Sequence, residues 1–139
     1  MQAMILMCRK LLPKFIGFGL VGAAGFVVDL TALTFALAFV DEVSARVFSF
    51  LCAVTATYSL NRYFVFAEEA RDLSWLRGFV KFFVSNSLGG AANFATYLAL
   101  LKFQPILEWT PQLALVAGTL VGLAFNFTLT VLFVFKQKT

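Results

Sequence analysis

Histidine is absent from this chain, which removes the commonest general base and metal ligand. Cysteine is scarce. Cys8 and Cys52 stand far apart with no metal-like spacing, so neither a disulfide framework nor a metal site is expected, and both read as small apolar packing residues. Charge is scarce as well: Asp, Glu, Lys and Arg make up 13% of the 139 residues, against about 25% in soluble domains. No nucleophile–base pair and no glycine-rich phosphate loop is visible. The sequence therefore makes no case for catalysis, for a metal or other cofactor, or for an ATP-driven step. The length leaves room for one compact domain over 1–139 and none for a separate soluble one.

What is abundant is hydrocarbon. Hydrophobic residues are 61% of the chain, 18 of them Phe, and the mean hydropathy is +0.90. An all-α membrane protein is the expected class. Crossing a hydrocarbon core of about 30 Å takes about 20 apolar residues in a helix. Four segments qualify, near 14–39, 46–66, 80–102 and 112–135. Residues 1–13 read as a cytoplasmic lead-in to a retained first span, because a secretory signal would place its charge before the apolar run and a cleavage site after it. Asp41-Glu42-Val43-Ser44 reads as a very short loop. Glu68 to Gly78 reads as a charged middle loop, and Phe103 to Pro111 as a third, with Trp75 and Trp109 at the headgroups.

Basic residues set the direction. Arg9, Lys10, Lys14, Arg62, Arg71, Arg77, Lys81, Lys136 and Lys138 collect on one side, and only Arg46 and Lys102 on the other. Both termini and the middle loop are thus expected in the cytoplasm. The net charge of +4 is then explained by an anionic membrane surface, without nucleic acid.

The chain also looks duplicated. At an offset of 64, Phe15 meets Phe79, Phe18 meets Phe82, Gly25 meets Gly89 and Asp29 meets Asn93; at an offset of 69, Leu60 meets Leu129 and Phe64-Val65-Phe66 meets Phe133-Val134-Phe135. Two parallel copies of a helical hairpin follow, related by an axis along the membrane normal. Gly17, Gly19, Gly22 and Gly25 in span one, Ser85, Gly89 and Gly90 in span three, and Gly118 and Gly122 in span four suit close helix packing. Alternatively, they thin a helix face to admit a ligand.

Asp29 is the only charged residue between Lys14 and Asp41. It lies 15 residues past Lys14, about 22 Å along a helix, at or beyond mid-depth. An acid there costs roughly 2.5–3.5 kcal/mol on insertion scales. Either Asp29 and Asn93 hydrogen-bond the repeats together, or they line a polar passage. Arg62, beside Asn61 near the cytoplasmic end of span two, either snorkels to the headgroups or holds a phosphate in its planar fork. Lys14, Arg77 and Lys81 lie at a comparable level and complete a cationic collar. Asn86, Asn126, Ser85 and Thr57 add neutral hydrogen-bonding groups between that collar and Asp29.

From Lys14 to Phe135 the chain resembles the GtrA-like family of small four-span membrane proteins. The residues that carry the resemblance are Phe15-Ile16-Gly17-Phe18-Gly19-Leu20-Val21-Gly22 leading to Val28-Asp29, the close Asn61-Arg62-Tyr63-Phe64-Val65-Phe66, and the echoes Asn93, Asn126-Phe127 and Phe133-Val134-Phe135. The second half of the family often repeats the Asn-Arg pair. Here those positions are Thr130-Val131, so Arg62 would act alone or with Lys81 rather than in a two-fold symmetric phosphate site. The resemblance implies flipping of polyprenyl-phosphate-linked monosaccharides across the cytoplasmic membrane, for a glycosyltransferase that uses them outside. Asp29, Asn61, Arg62, Lys81, Asn86, Asn93 and Asn126 are then the expected substrate contacts, and a homo-oligomer, first a dimer, is expected because four short helices enclose little volume. Two other readings stay open: a scaffold subunit that docks a glycosyltransferase and moves nothing, and a small proton-coupled exporter that titrates Asp29.

Overall fold

The computed structural model describes residues 2–102 and 111–135. The expected third loop from Phe103 to Pro111 lies outside the described residues except for Pro111, which begins a helix, and Lys136 and Lys138 lie outside them as well. The described chain is helical without a strand. In order it forms α1 (Gln2–Ala36), α2 (Glu42–Leu60), a π-helical turn (Asn61–Val65), a short α3 (Ala67–Ala70), α4 (Trp75–Lys102), α5 (Pro111–Leu129) and a second π-helical turn (Thr130–Val134). These build two compact units, 1–73 and 74–139.

The first unit is a hairpin of α1 and α2. Its long arm starts earlier than the sequence suggests. Pro13 lies inside α1, although it has no N–H to continue the backbone ladder, so the lead-in and the first span are one helix. The segment Leu11–Ala36 is long and apolar enough to cross a bilayer, with mean hydropathy 1.9 and only 11% of its window buried. A core helix of a soluble protein would be covered. The turn after Ala36 holds itself by Phe39 N–H to Ala36 C=O (2.9 Å). Asp41 then caps α2, its Oδ1 accepting the Ser44 N–H at 3.1 Å and its Oδ2 the Ser44 hydroxyl at 2.6 Å. The tetrapeptide read as a loop is thus a cap and the first turn of a helix. Asp41→Ala is expected to lower stability by about 0.5–2 kcal/mol, measured by thermal unfolding in detergent, whereas Asp41→Ser should retain most of it.

The second unit is a hairpin of α4 and α5. Ser74 occupies the N-cap position of α4, its carbonyl accepting the Gly78 N–H at 2.9 Å. The helix begins at Trp75 rather than near 80 because aromatic residues four apart pack along it: Trp75 stacks on Phe79 with centroids 5.2 Å apart, and Phe79 tilts against Phe83 at 6.4 Å. The second half of the charged middle loop is therefore helical. The stretch Val116–Val134 matches the first span in mean hydropathy, 1.9, and is 17% buried. Helices α2 and α4 are also of spanning length but carry more Ser, Thr and Asn.

Each unit repeats the other's internal details. Both second helices widen into a π turn at aligned residues, closing with Phe66 N–H to Asn61 C=O (2.8 Å) and Phe135 N–H to Thr130 C=O (2.9 Å). Phe18 and Phe82 are buried at matching positions, as are Asn61 and Thr130, and Phe66 and Phe135. Gly25 closes on Thr57, and Gly89 closes on Asn126, the residue 69 positions after Thr57. The small residues that admit this approach are matched too, since Ser49 and Ala53 precede Gly118 and Gly122 by the same 69. Elsewhere the surface is apolar: Leu20 is 68% and Phe64 78% exposed. In water such a surface would be a large association patch; in hydrocarbon it is simply solvated.

Candidate functional site

The charged end of the first hairpin is tied together by its own side chains. The Arg62 guanidinium donates from Nη2 to the Leu73 carbonyl at 2.6 Å and from Nη1 to the Tyr58 hydroxyl at 3.1 Å. Tyr58 is fully buried. Lys14 pairs with Glu69 and lies over the Phe66 ring, 5.4 Å from its centroid. Thus α1 is clamped to α3, and the π turn to the residue at which the unit ends. Arg71 and Glu68 meet at 3.4 Å on the exposed surface, a contact worth little.

This changes the expected collar. Lys14 is neutralised by Glu69. Arg62 keeps its full charge, because both acceptors are neutral, but two of its five N–H donors are committed. Tyr58 and Glu69 were not singled out from the sequence. Only the four-residue spacing of Tyr58 and Arg62 hinted at the first, and nothing local could identify the fold's use of the second.

Further along α1, Asp29 is half-buried and its Oδ1 is shielded from solvent. It sits one turn beyond Gly25, where α1 approaches Thr57 so closely that a Cβ on Gly25 would fall 2.2 Å from Thr57 Cγ2. The Thr57 hydroxyl bonds back to the Ala53 carbonyl at 2.9 Å. That satisfies its donor within the helix. Asn61 is buried at the mouth of the π turn, and its Oδ1 takes no hydrogen bond from a described residue.

In the second unit, Asn93 and Asn126 share the seam between α4 and α5. A Cβ at Gly118 would lie 2.7 Å from both the backbone oxygen and Oδ1 of Asn93, and one at Gly122 would lie 2.8 Å from Asn93 Cβ. Asn126 fills the space over Gly89, with its Oδ1 buried and accepting nothing among the described residues. Thr130, aligned with Asn61, is in the same condition at Oγ1. A buried unpaired acceptor costs about 1–3 kcal/mol, so three of them mark places where a water or ligand donor would be welcome. Asn86 donates from Nδ2 to the Phe82 carbonyl at 3.0 Å, leaving its side-chain oxygen as an acceptor. Lys81 is exposed and makes no ion pair or hydrogen bond with a described residue.

The structure thus gathers Asn93 and Asn126 into one seam and places Asn61 next to Arg62 in one π turn. Asp29 belongs to the first unit with that turn, and Lys81 and Asn86 to the second. Of the glycines, Gly17, Gly25, Gly89, Gly118 and Gly122 meet neighbouring atoms, whereas Gly19, Gly22 and Gly90 have no such atom within 4 Å. The packing role holds for the first set, and an open face for the second.

The chemistry of these groups is that of binding: a partly committed guanidinium and a carboxylate in the first unit, a lysine and amides in the second, and no cluster of metal-ligating side chains among the described residues. No curated protein matches the chain significantly in sequence. A protein-family profile described as the GtrA/DPMS transmembrane domain matches residues 17–135. That span takes in both hairpins from Gly17 to the buried Phe135, and the chain belongs to the GtrA/DPMS transmembrane-domain family.

Proposed function

We propose that the protein crosses the cytoplasmic membrane four times, with both termini inside, and moves polyprenyl-phosphate-linked monosaccharides between the leaflets for cell-surface glycosylation. The observation that carries this reading is the family match across both hairpins. The residue chemistry supports it. The polyprenyl tail is already soluble in the bilayer, so only the sugar-phosphate head needs help. A charged group at mid-bilayer costs several kcal/mol, and a path of fixed polar groups lowers that barrier. Lys81, without an ion pair among the described residues, and Arg62, with three donors uncommitted, are each suited to a phosphate at the inner rim. Asp29, Asn61, Asn86, Asn93 and Asn126 offer acceptors and donors to sugar hydroxyls. No catalysis is involved, and a homodimer is the assembly we favour.

Reconstitution tests this directly. In liposomes carrying a short-chain polyprenyl-phosphate sugar in one leaflet, the wild-type protein should equilibrate the head between leaflets. Asp29→Asn and Arg62→Ala should each slow it about tenfold or more, one lost charged hydrogen bond corresponding to about 1.5–3 kcal/mol. Full activity in both variants would reject the reading.

A second reading draws on the same structure. Asn93, Asn126 and Arg62 all serve packing, as they would in a scaffold that seats a membrane glycosyltransferase. Purified protein alone would then leave the headgroup distribution unchanged.

A further inference from the structure

We propose that the second hairpin carries a seat for a single lipid chain with a phosphate head, in a groove bordered by Lys81 and Ser85. The inference rests on the translocation reading and says where the lipid is held. The groove has a volume of about 450 Å³, and its apolar walls are Val80, Val84 and Leu88 of α4, with Phe133 from the second π turn. A groove of that size suits a segment of a chain rather than the whole of one. Its polar groups stand together: Ser85 follows Lys81 by four residues, on the same face of the helix. From Lys81 to Leu88 is seven residues, about 10 Å of helix. A phosphate held at the ammonium and hydroxyl leaves the chain to run along Val84 and Leu88.

Charge complementarity picks this occupant. Lys14 is paired with Glu69, Arg71 with Glu68, and Arg62 is tied to Leu73 and Tyr58. Among the described residues Lys81 and Arg77 have no such partner, and of these two only Lys81 lines the apolar groove. Hydrocarbon tails are as apolar as leucine, so in a bilayer the walls alone give little affinity. The discriminating interaction is the one between the lysine and the head. The groove should therefore prefer an anionic chain strongly over a neutral one.

The repeat shows why there is one seat and not two. The residue aligned with Lys81 is Gly17, where a Cβ would lie 3.3 Å from Val65 Cγ2. The residue aligned with Arg62 is Val131. At these two aligned positions each hairpin thus keeps one cation, Arg62 in the first and Lys81 in the second, and of the two only Lys81 is uncommitted among the described residues. The missing second Asn-Arg pair is offset by Lys81.

The test is binding, read without transport. Native mass spectrometry of the full chain in detergent, with a short polyprenyl phosphate added, should show one bound lipid per chain. The corresponding polyprenol and inorganic phosphate should each bind at least tenfold more weakly. Lys81→Gln should lower polyprenyl-phosphate affinity about tenfold, and Lys81→Arg should restore it. Val84→Trp, which fills the groove at a half-exposed position, should abolish binding, and Leu88→Trp serves the same purpose should the first fold poorly. Leu20→Trp, at the position aligned with Val84, should leave binding unchanged. Wild-type affinity in Lys81→Gln and in a tryptophan variant would overturn the seat, as would equal binding of inorganic phosphate. Binding as described with no leaflet exchange would overturn translocation and leave the seat standing. Exchange that survives Val84→Trp would do the reverse.

Discussion

Gly118→Val should separate α4 from α5 and unfold the second hairpin. A side chain at 118 begins with a Cβ placed 2.7 Å from the backbone oxygen of Asn93 and 2.7 Å from its Oδ1. A flexible side-chain tip could swing away, but a backbone carbonyl in the middle of a 28-residue helix cannot. The only relief is to move one helix off the other. That loses the close contact at Gly122 as well, because Gly122 rests on the same Asn93 and on the Gly89 carbonyl. Overpacking typically costs about 1–3 kcal/mol. Gly118→Ala should fall in that range and Gly118→Val at or above its top, seen as a lowered melting temperature in detergent. Gly19→Ala is the control. Nothing lies within 4 Å of a Cβ there, and replacing a mid-helix glycine should stabilise by about 0.5–1 kcal/mol. Equal melting temperatures for Gly118→Val and the wild type would mean the seam is not built on this glycine.

Arg62→Ala should release the segment from α3 to Leu73 while the body of the first hairpin stays folded. The substitution removes both the donor to the Leu73 carbonyl and the donor to Tyr58, whose hydroxyl is then left buried beside a gap. A hydrogen bond from a charged donor contributes about 1.5–3 kcal/mol. Amide exchange across residues 67–73 should therefore quicken at least tenfold, with little change in the helix around Val54. Arg62→Lys should fall between the two, because an ammonium carries the charge but cannot span both acceptors as a planar fork does. If exchange in 67–73 is unchanged in Arg62→Ala, the Lys14–Glu69 pair alone holds that segment. This structural role also sharpens the transport assay. An Arg62→Ala protein that keeps its fold, by exchange, and loses flipping separates the phosphate role from the clamp.

Much of this was legible in one dimension. Spacing of apolar residues was enough for helices, because a backbone in hydrocarbon must satisfy its own hydrogen bonds. The repeat was legible because Phe18 and Phe82, and Phe66 and Phe135, do the same packing in each half. The boundaries were less so. Asp41 to Ser44 looked like a loop because its residues are polar, yet the polarity is that of a helix cap. The stretch from Glu68 to Gly78 looked like a loop because it carries charges such as Arg71 and Arg77, yet Arg77 sits in the first turn of a helix held by Trp75 and Phe79. The π turns have no signature of their own, since a widened turn depends on what packs against it.

The amino-acid sequence alone determined the solvent, the helical class, the family and the two-fold repetition, because these follow from the transfer energies of side chains taken one at a time and from their order. Only the tertiary structure decided which cations are spent and which remain. Lys14 meets Glu69 across 55 residues, and Arg62 reaches Leu73 across 11, whereas Lys81 meets no partner among the described residues. It also decided which glycines are seams and which are open. The reason is the same in both cases: commitment is a property of pairs, and residues distant in the chain become a pair only when the helices have packed.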